Sequence, residues 1–291
     1  MNIAKQIVTG VERLPAFPRV AQRVLELTSG GAEVELDELA DVIQCDSALT
    51  ANLLRLCNSA WYGFRTQIHS VREAVARLGI DTVRDMVIME ASASYLSGSY
   101  SGYALQRGYL WQHSLCTALM SRILAHRLGL SHAGRLYTAA LLHDIGKTVL
   151  NEHVREAWIE IFKLVDQRGC ELVAAEREVL GTDHCEVGAC IAERWGLPAA
   201  IVTAIAYHHR PEATPGDKGL IGLLYLSNIL CLQVGIGVGA AGLACRERPE
   251  LADELGLSRM DVHQAVAQLM IEYDRIECLL DPGVFFGWGK A

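Results

Sequence analysis

Five histidines and one aspartate carry the side chains of this 291-residue chain best suited to chemistry: His113, the adjacent pair His143-Asp144, His184, and the adjacent pair His208-His209. Imidazole nitrogen and carboxylate oxygen are the usual donors to a divalent transition metal. Each histidine alone reads as an ordinary hydrogen-bonded core or surface residue, and His69, His126, His132, His153 and His263 are given that reading. The two adjacent pairs differ because both fall at the ends of apolar helices. Polar groups without partners in such places cost several kcal/mol, and a bound metal would account for them. The separations run to tens of residues and lack the tightness of a zinc-finger pattern, so spacing alone leaves a metal centre and a set of core histidines both open.

The elements that must position these residues all read as helices. Ser131 is a good helix start and Gly146 a good stop, which predicts a core helix with His143 and Asp144 at its buried end. His113 lies within an apolar helix over Tyr109 to Leu128. Asp183-His184-Cys185-Glu186 has the form of a capping box, with His184 in the first turn. Gly196-Leu197-Pro198 closes that helix and opens the next, which runs to His208-His209 and stops at Pro211. Before these, apolar faces recur at helical spacing: Val20, Val24 and Leu27 in a helix beginning near Pro18; then Leu36, Leu39 and Ile43; then Leu49, Leu53 and Leu56 behind a cap at Asp46 or Ser47. Val71, Val75 and Leu78, then Val83, Val87 and Ile88, continue the pattern. Trp158 to Arg168 and Ser258 to Leu280 are amphipathic and carry no obvious chemistry. No strand pattern is present, so the fold class is all-α, an N-terminal helical bundle packed on a C-terminal one. Gly98-Ser99-Tyr100-Ser101-Gly102 is the best linker candidate and divides the chain into 1–102, 103–245 and a C-terminal helix and tail over 246–291.

A net charge of −8, from 26 basic against 34 acidic residues, comes with no basic block of the kind that binds nucleic acid or an anionic membrane. The helices around Gln44-Cys45-Asp46 could be taken for a helix-turn-helix, but up to residue 112 there are ten Lys and Arg against twelve Asp and Glu. No nucleic-acid partner is expected. Nine cysteines, an odd number without C-x-x-C spacing, read as reduced thiols in a cytoplasmic protein, and no leader pattern precedes the first helix. Gly219 to Cys245 has no charged residue and is long enough to cross a bilayer. Ser227, Asn228, Gln233, six glycines and the lack of an aromatic belt argue instead for a buried helix over about Leu220 to Gln233, then a glycine-rich loop. No membrane association is expected.

His113, His143-Asp144 with Gly146-Lys147 after it, His184 and His208-His209 resemble the HD superfamily of metal-dependent phosphohydrolases, in the extended version of its HD-GYP branch. The N-terminal half is similar to the HDOD family in particular, through Leu14-Pro-Ala-Phe-Pro18, Asp46-Ser-Ala-Leu-Thr-Ala-Asn-Leu-Leu-Arg-Leu-Cys-Asn-Ser-Ala60 with Tyr62-Gly63, and Ile68-His-Ser-Val-Arg-Glu-Ala-Val-Ala-Arg-Leu-Gly79. The resemblance covers about residues 10 to 235. It implies an HD-like second bundle in which His113, His143 and Asp144 hold one metal, and Asp144 bridges to a second held by His184, His208 and His209. Lys147 would face a substrate phosphate, so Asp144 and Lys147 are the catalytic candidates. The superfamily closes its set with an aspartate where this chain has Asn228, a neutral and poorer ligand. The Gly-Tyr-Pro motif of HD-GYP phosphodiesterases is replaced after His209 by Arg210-Pro-Glu-Ala-Thr-Pro215.

The resemblance thus implies a bacterial signal-transduction or regulatory protein with a transition-metal site. Iron is expected first, with manganese or zinc as alternatives, and up to two ions per chain. A phosphate-containing or nucleotide ligand would bind there, and a signalling protein partner would dock on the N-terminal half. The alternative is a metal-dependent phosphohydrolase acting on a nucleotide, and a third reading is a di-iron oxygenase of the kind found among some HD relatives.

Overall fold

A computed structural model describes residues 3–11, 15–29, 34–59, 61–130, 133–239, 248 and 250–280. The first six helices are α1 (Ile3–Gly10), α2 (Arg19–Ser29), α3 (Leu36–Gln44), α4 (Ser47–Cys57), α5 (Val71–Leu78) and α6 (Ile80–Leu96). Beyond a short 3-10 turn at Ser101–Tyr103 come α7 (Tyr109–Arg127), α8 (Ala133–Leu142), α9 (Gly146–Glu156), α10 (Trp158–Arg168), α11 (Leu172–Leu180), α12 (His184–Arg194) and α13 (Ala199–Tyr207). The last are α14 (Lys218–Gln233), α15 (Leu251–Glu254) and α16 (Arg259–Leu280). The fold is all-α, as expected: among the described residues the one β-type pairing is an isolated bridge between Tyr100 and Leu105.

Local chemistry sets most boundaries where the sequence predicts them. The Asp46 carboxylate accepts from the backbone N–H groups of Ala48 and Leu49, and the Asp183 carboxylate from that of Glu186, satisfying amides of a first turn that have no helical partner. Ser258 and Asp261 exchange bonds at the start of α16, a reciprocal capping box. The charge-free stretch begins with a buried helix, α14, its residues 240–245 lie outside the described residues, and no helix among the described residues is long and apolar enough to cross a membrane.

One boundary differs from expectation in a way that matters for the site. The helix predicted to run to Gly146 ends at Leu142, His143 and Asp144 lie on a turn, and Gly146 opens α9. Gly146 is absent from the glycines with positive φ, so it is no left-handed stop. Its lack of a side chain serves another purpose: a Cβ there would stand 1.9 Å from the carbonyl oxygen of His184 and 2.6 Å from the amide nitrogen of Gly188. The starts of α9 and α12 therefore touch backbone to backbone. Ser131 lies outside the described residues.

The expected linker is likewise a packed segment. Tyr100 and Leu105 exchange backbone hydrogen bonds, and the Gly102 N–H donates to the Asn151 side chain of α9 at 2.9 Å. Gly102 and Tyr103 are buried. The hydrophobic core is continuous across both halves of the chain. Helix α1 packs on α9 and α12, with Ala4 and Val8 buried and the Val8 carbonyl accepting from Arg194. Phe17 and Tyr95 meet Trp195 with ring centroids 5.1 and 4.8 Å away. On α6 the buried Arg84 bonds Asp81 and Asp85, and its guanidinium passes where Gly134 of α8 has no side chain.

Candidate metal centre

Four histidines are turned the same way by the same device. The His143 Nδ1–H donates to the Ala140 carbonyl at 2.7 Å and the His208 Nδ1–H to the Ile205 carbonyl at 2.8 Å. Each ring thus satisfies a carbonyl left over at the C-terminal end of its helix, α8 or α13. His113 Nδ1 faces the Ile236 carbonyl at 3.2 Å, and His184 Nδ1 faces Glu176 Oε2 at 2.7 Å. Carbonyl and carboxylate oxygens only accept, so Nδ1 carries the proton at His143, His184 and His208 and their Nε2 presents a lone pair, whereas His113 has an acceptor oxygen at each ring nitrogen, the Ile236 carbonyl at Nδ1 and Asn228 Oδ1 at Nε2.

The Nε2 atoms converge on Asp144. Asp144 Oδ2 lies 3.3 Å from His143 Nε2 and 3.8 Å from His113 Nε2, while Oδ1 lies 3.5 Å from His184 Nε2 and 3.8 Å from His208 Nε2. His143 Nε2, His184 Nε2 and Asp144 Oδ1 are buried and have no hydrogen-bond partner among the described residues. Lone pairs facing one another in a dry interior repel unless a cation stands between them. This donor set fits metal ions. Two groups are close enough to hold one each, His113, His143 and Asp144 in one, and His184, Cys185, His208 and His209 in the other. All the site residues predicted from sequence are brought together here. The carboxylate of Asp144 spans the two groups, as the resemblance implies, and the C-terminal ends of α8 and α13 add their partial negative charge.

Electrostatics keep His113, His208 and His209 ready as donors. Burial, then the neighbouring His143, pushes His113 down to about 4. Burial and neighbouring histidines hold His208 and His209 well below the usual imidazole range. These rings are therefore neutral at pH 7. Burial would raise the Asp144 carboxyl, but His143 and Lys147 outweigh it and hold it well below the ordinary carboxylate range. Burial would lower His184, and the charge of Glu176 raises it instead. Lys147 Nζ sits 2.6 Å from Asp144 Oδ2 and 5.7 Å from the Tyr103 ring centre, so its ammonium is held against the bridging carboxylate. Asn228 stands on α14 with Oδ1 3.0 Å from His113 Nε2.

The approach to the first donor group is narrow. A cavity of about 10 Å³, room for one water-sized body, is lined by His113, Asp144 and Lys147 together with Tyr103, Leu105, Leu110, Leu232, Gly237 and Gly239. The loop after α14 lies directly on it. A Cβ on Gly237 would be 2.5 Å from the His113 Cβ, and one on Gly239 would be 2.4 Å from the Tyr103 carbonyl oxygen.

Sequence reasoning missed Glu176 and Tyr103. Glu176 is fully buried and accepts from both the ring and the backbone N–H of His184. Its signal was available, since Glu176 falls three and four residues after Val173 and Leu172, on the buried face of α11. Tyr103 had no such signal, because it lies in a segment with no periodicity.

The class of protein that such an all-helical frame and histidine-aspartate centre define is the HD-type one. The HDOD domain pattern matches residues 14–211, and the chain belongs to that family. It is similar to an HDOD domain protein of unknown function from Geobacter sulfurreducens, 29% identical, with a TM-score of 0.76 over 96% of each chain. A protein from Marinobacter aquaeolei VT8 named for signal transduction is 27% identical, with a TM-score of 0.74 over 97% of this chain and 64% of that one. By sequence the chain is 30% identical over 149 residues to Ribonuclease Y of Deinococcus radiodurans, covering 51% of this chain and 20% of that protein. It spans less than half the length of the curated relatives it matches.

Proposed function

We propose that this HDOD protein is a regulatory, signal-transducing element whose histidine-rich centre holds one or two transition-metal ions, iron foremost, with manganese or zinc as alternatives. In this reading the occupied centre binds a phosphate-containing ligand and fixes the helices around it, and the N-terminal half offers that arrangement to a protein partner in the cytoplasm. The observation that carries it is the donor set itself: five imidazoles fall into two groups, the Asp144 carboxylate faces both, and the neutral Asn228 stands against His113. The likeness to the Marinobacter protein named for signal transduction supports it. Elemental analysis of the purified chain and an assay on a generic phosphodiester, nucleotides and short RNA test it together. Bound metal without turnover is the expected result, with metal content lost in Asp144→Ala.

The second reading is a metal-dependent phosphohydrolase. It is favoured by the carboxylate that faces both donor groups, by the Lys147 ammonium beside it, and by the likeness to Ribonuclease Y. Bound there, a divalent ion would acidify the attacking water and draw charge from the phosphoryl oxygens. Asp144 would orient the centre, and Lys147, swung from Asp144 Oδ2, would bind the phosphate. Turnover in the same assay that disappears in Asp144→Ala would establish this reading over the first.

A further inference from the structure

We propose that Cys185 is a sulfur ligand of the second donor group, so that the two halves of the centre are chemically unlike. This rests on the metal-centre reading above. The Cys185 side chain is 1% exposed, and its Sγ lies 4.0 Å from His208 Nε2. Donor atoms of His184, Cys185, His208 and His209 all lie within 4.8 Å of one another. In a tetrahedral site a sulfur bond of about 2.3 Å and a nitrogen bond of about 2.0 Å place S and N about 3.6 Å apart, so the observed separation needs a shift of a few tenths of an ångström. A second, independent observation points at the same place: His184 Nε2, 1% exposed, has no hydrogen-bond partner among the described residues.

Charge argues the same way. Among the described residues Asp144 is the one carboxylate facing both groups, and Glu176 is already engaged by the ring and backbone of His184. Two divalent ions would then stand over a single anion, and a thiolate adds a second one. Burial and the nearby Asp183, Glu176 and Asp144 carboxylates push the free Cys185 thiol well above its usual value, so a bound cation would have to supply the charge that ionises it. On coordination the S–H proton leaves to solvent and a sulfur lone pair forms the bond, with no change of oxidation state. His113, His143 and Asp144 offer only nitrogen and oxygen. The sulfur-bearing half therefore selects zinc or ferrous iron over manganese.

The test is spectroscopic and uses the full chain loaded with cobalt(II). The wild-type protein is expected to show visible d–d bands and a near-ultraviolet thiolate-to-cobalt charge-transfer band. Cys185→Ala is expected to keep d–d absorption, lose the charge-transfer band, and bind zinc at least about tenfold more weakly. Cobalt bound without a charge-transfer band in the wild type, or a band unchanged in Cys185→Ala, overturns the proposal while leaving the metal centre standing. A wild-type chain that binds no cobalt removes both. Should Cys185→Ala fail to fold, cadmium-113 resonance of the wild-type chain decides alone: a signal at the field of nitrogen and oxygen ligation overturns sulfur ligation, and one shifted strongly downfield supports it.

Discussion

Glu176 grips His184 at two points, through the ring Nδ1–H and the backbone N–H, and so fixes both the position and the tautomer of a residue in the second donor group. In Glu176→Gln the amide oxygen still accepts from Nδ1–H, but the negative charge that makes the ring a stronger donor is gone. Metal affinity is expected to fall about 10- to 100-fold with little change in melting temperature, as read by competition with a chromophoric chelator and by calorimetry. His113 makes a pH prediction for the chelated protein. Its folded value of about 4 lies below the ordinary 6.5, so the unfolded chain binds the proton more readily. Stability on this account is complete above about pH 6.5 and falls as the pH drops towards 4, by at most about 3 kcal/mol, which urea midpoints across that range will show. The histidines and Asp144 were legible in sequence because imidazoles and a carboxylate paired at the ends of apolar helices have few other uses. Cys185 was legible only as another thiol, and Glu176 only as a polar residue on the apolar face of α11, until the partner element came into contact with each.

Among the elements, α9 and α12 decide whether the two donor groups share one carboxylate. Their starts cross at Gly146 and Gly188, where the atoms a new Cβ would meet at Gly146 are backbone and cannot swing aside. Gly146→Ala is therefore expected to push the two helices apart, lower the melting temperature by several degrees and reduce bound metal below one ion per chain, measured by calorimetry and elemental analysis. The same glycine explains the main error in reading the elements. A glycine after an apolar run usually marks a left-handed helix end, but here what is exploited is the missing side chain, and periodicity carries no trace of a neighbour approaching from forty residues further along. Helices α2 to α7 and α12 to α14 were readable because their caps and apolar faces are local. Helices α1 and α11 were not singled out, since each is short and owes its place to the elements beneath it.

At the scale of the molecule, Phe17, Tyr95 and Trp195 join the beginning of the chain to the end of α12, and α1 lies on the bundle that houses the centre. A change in the separation of α9 and α12 would therefore reach the N-terminal helices through packed aromatic contacts, which is the physical route a regulatory reading needs. Contacts of this kind, between residues nearly two hundred positions apart, lie beyond the reach of any local pattern. The apolar aromatic residues themselves were visible, but their partners were not.

The bracket at Tyr100 and Leu105, tied to Asn151 and pressed on by Gly239, narrows the approach to His113, Asp144 and Lys147. In the metal-bound reading proposed above, an ion there would leave as the backbone parts. Removal by a chelator should then run at the pace of that parting: stopped-flow traces are expected to reach a plateau rate that no longer rises with chelator concentration, and Gly102→Ala, which pries the bracket off α9 at the Asn151 carbonyl, should lift the plateau. A protein behaving so would keep a memory of the metal supply it folded in, long after that supply has changed.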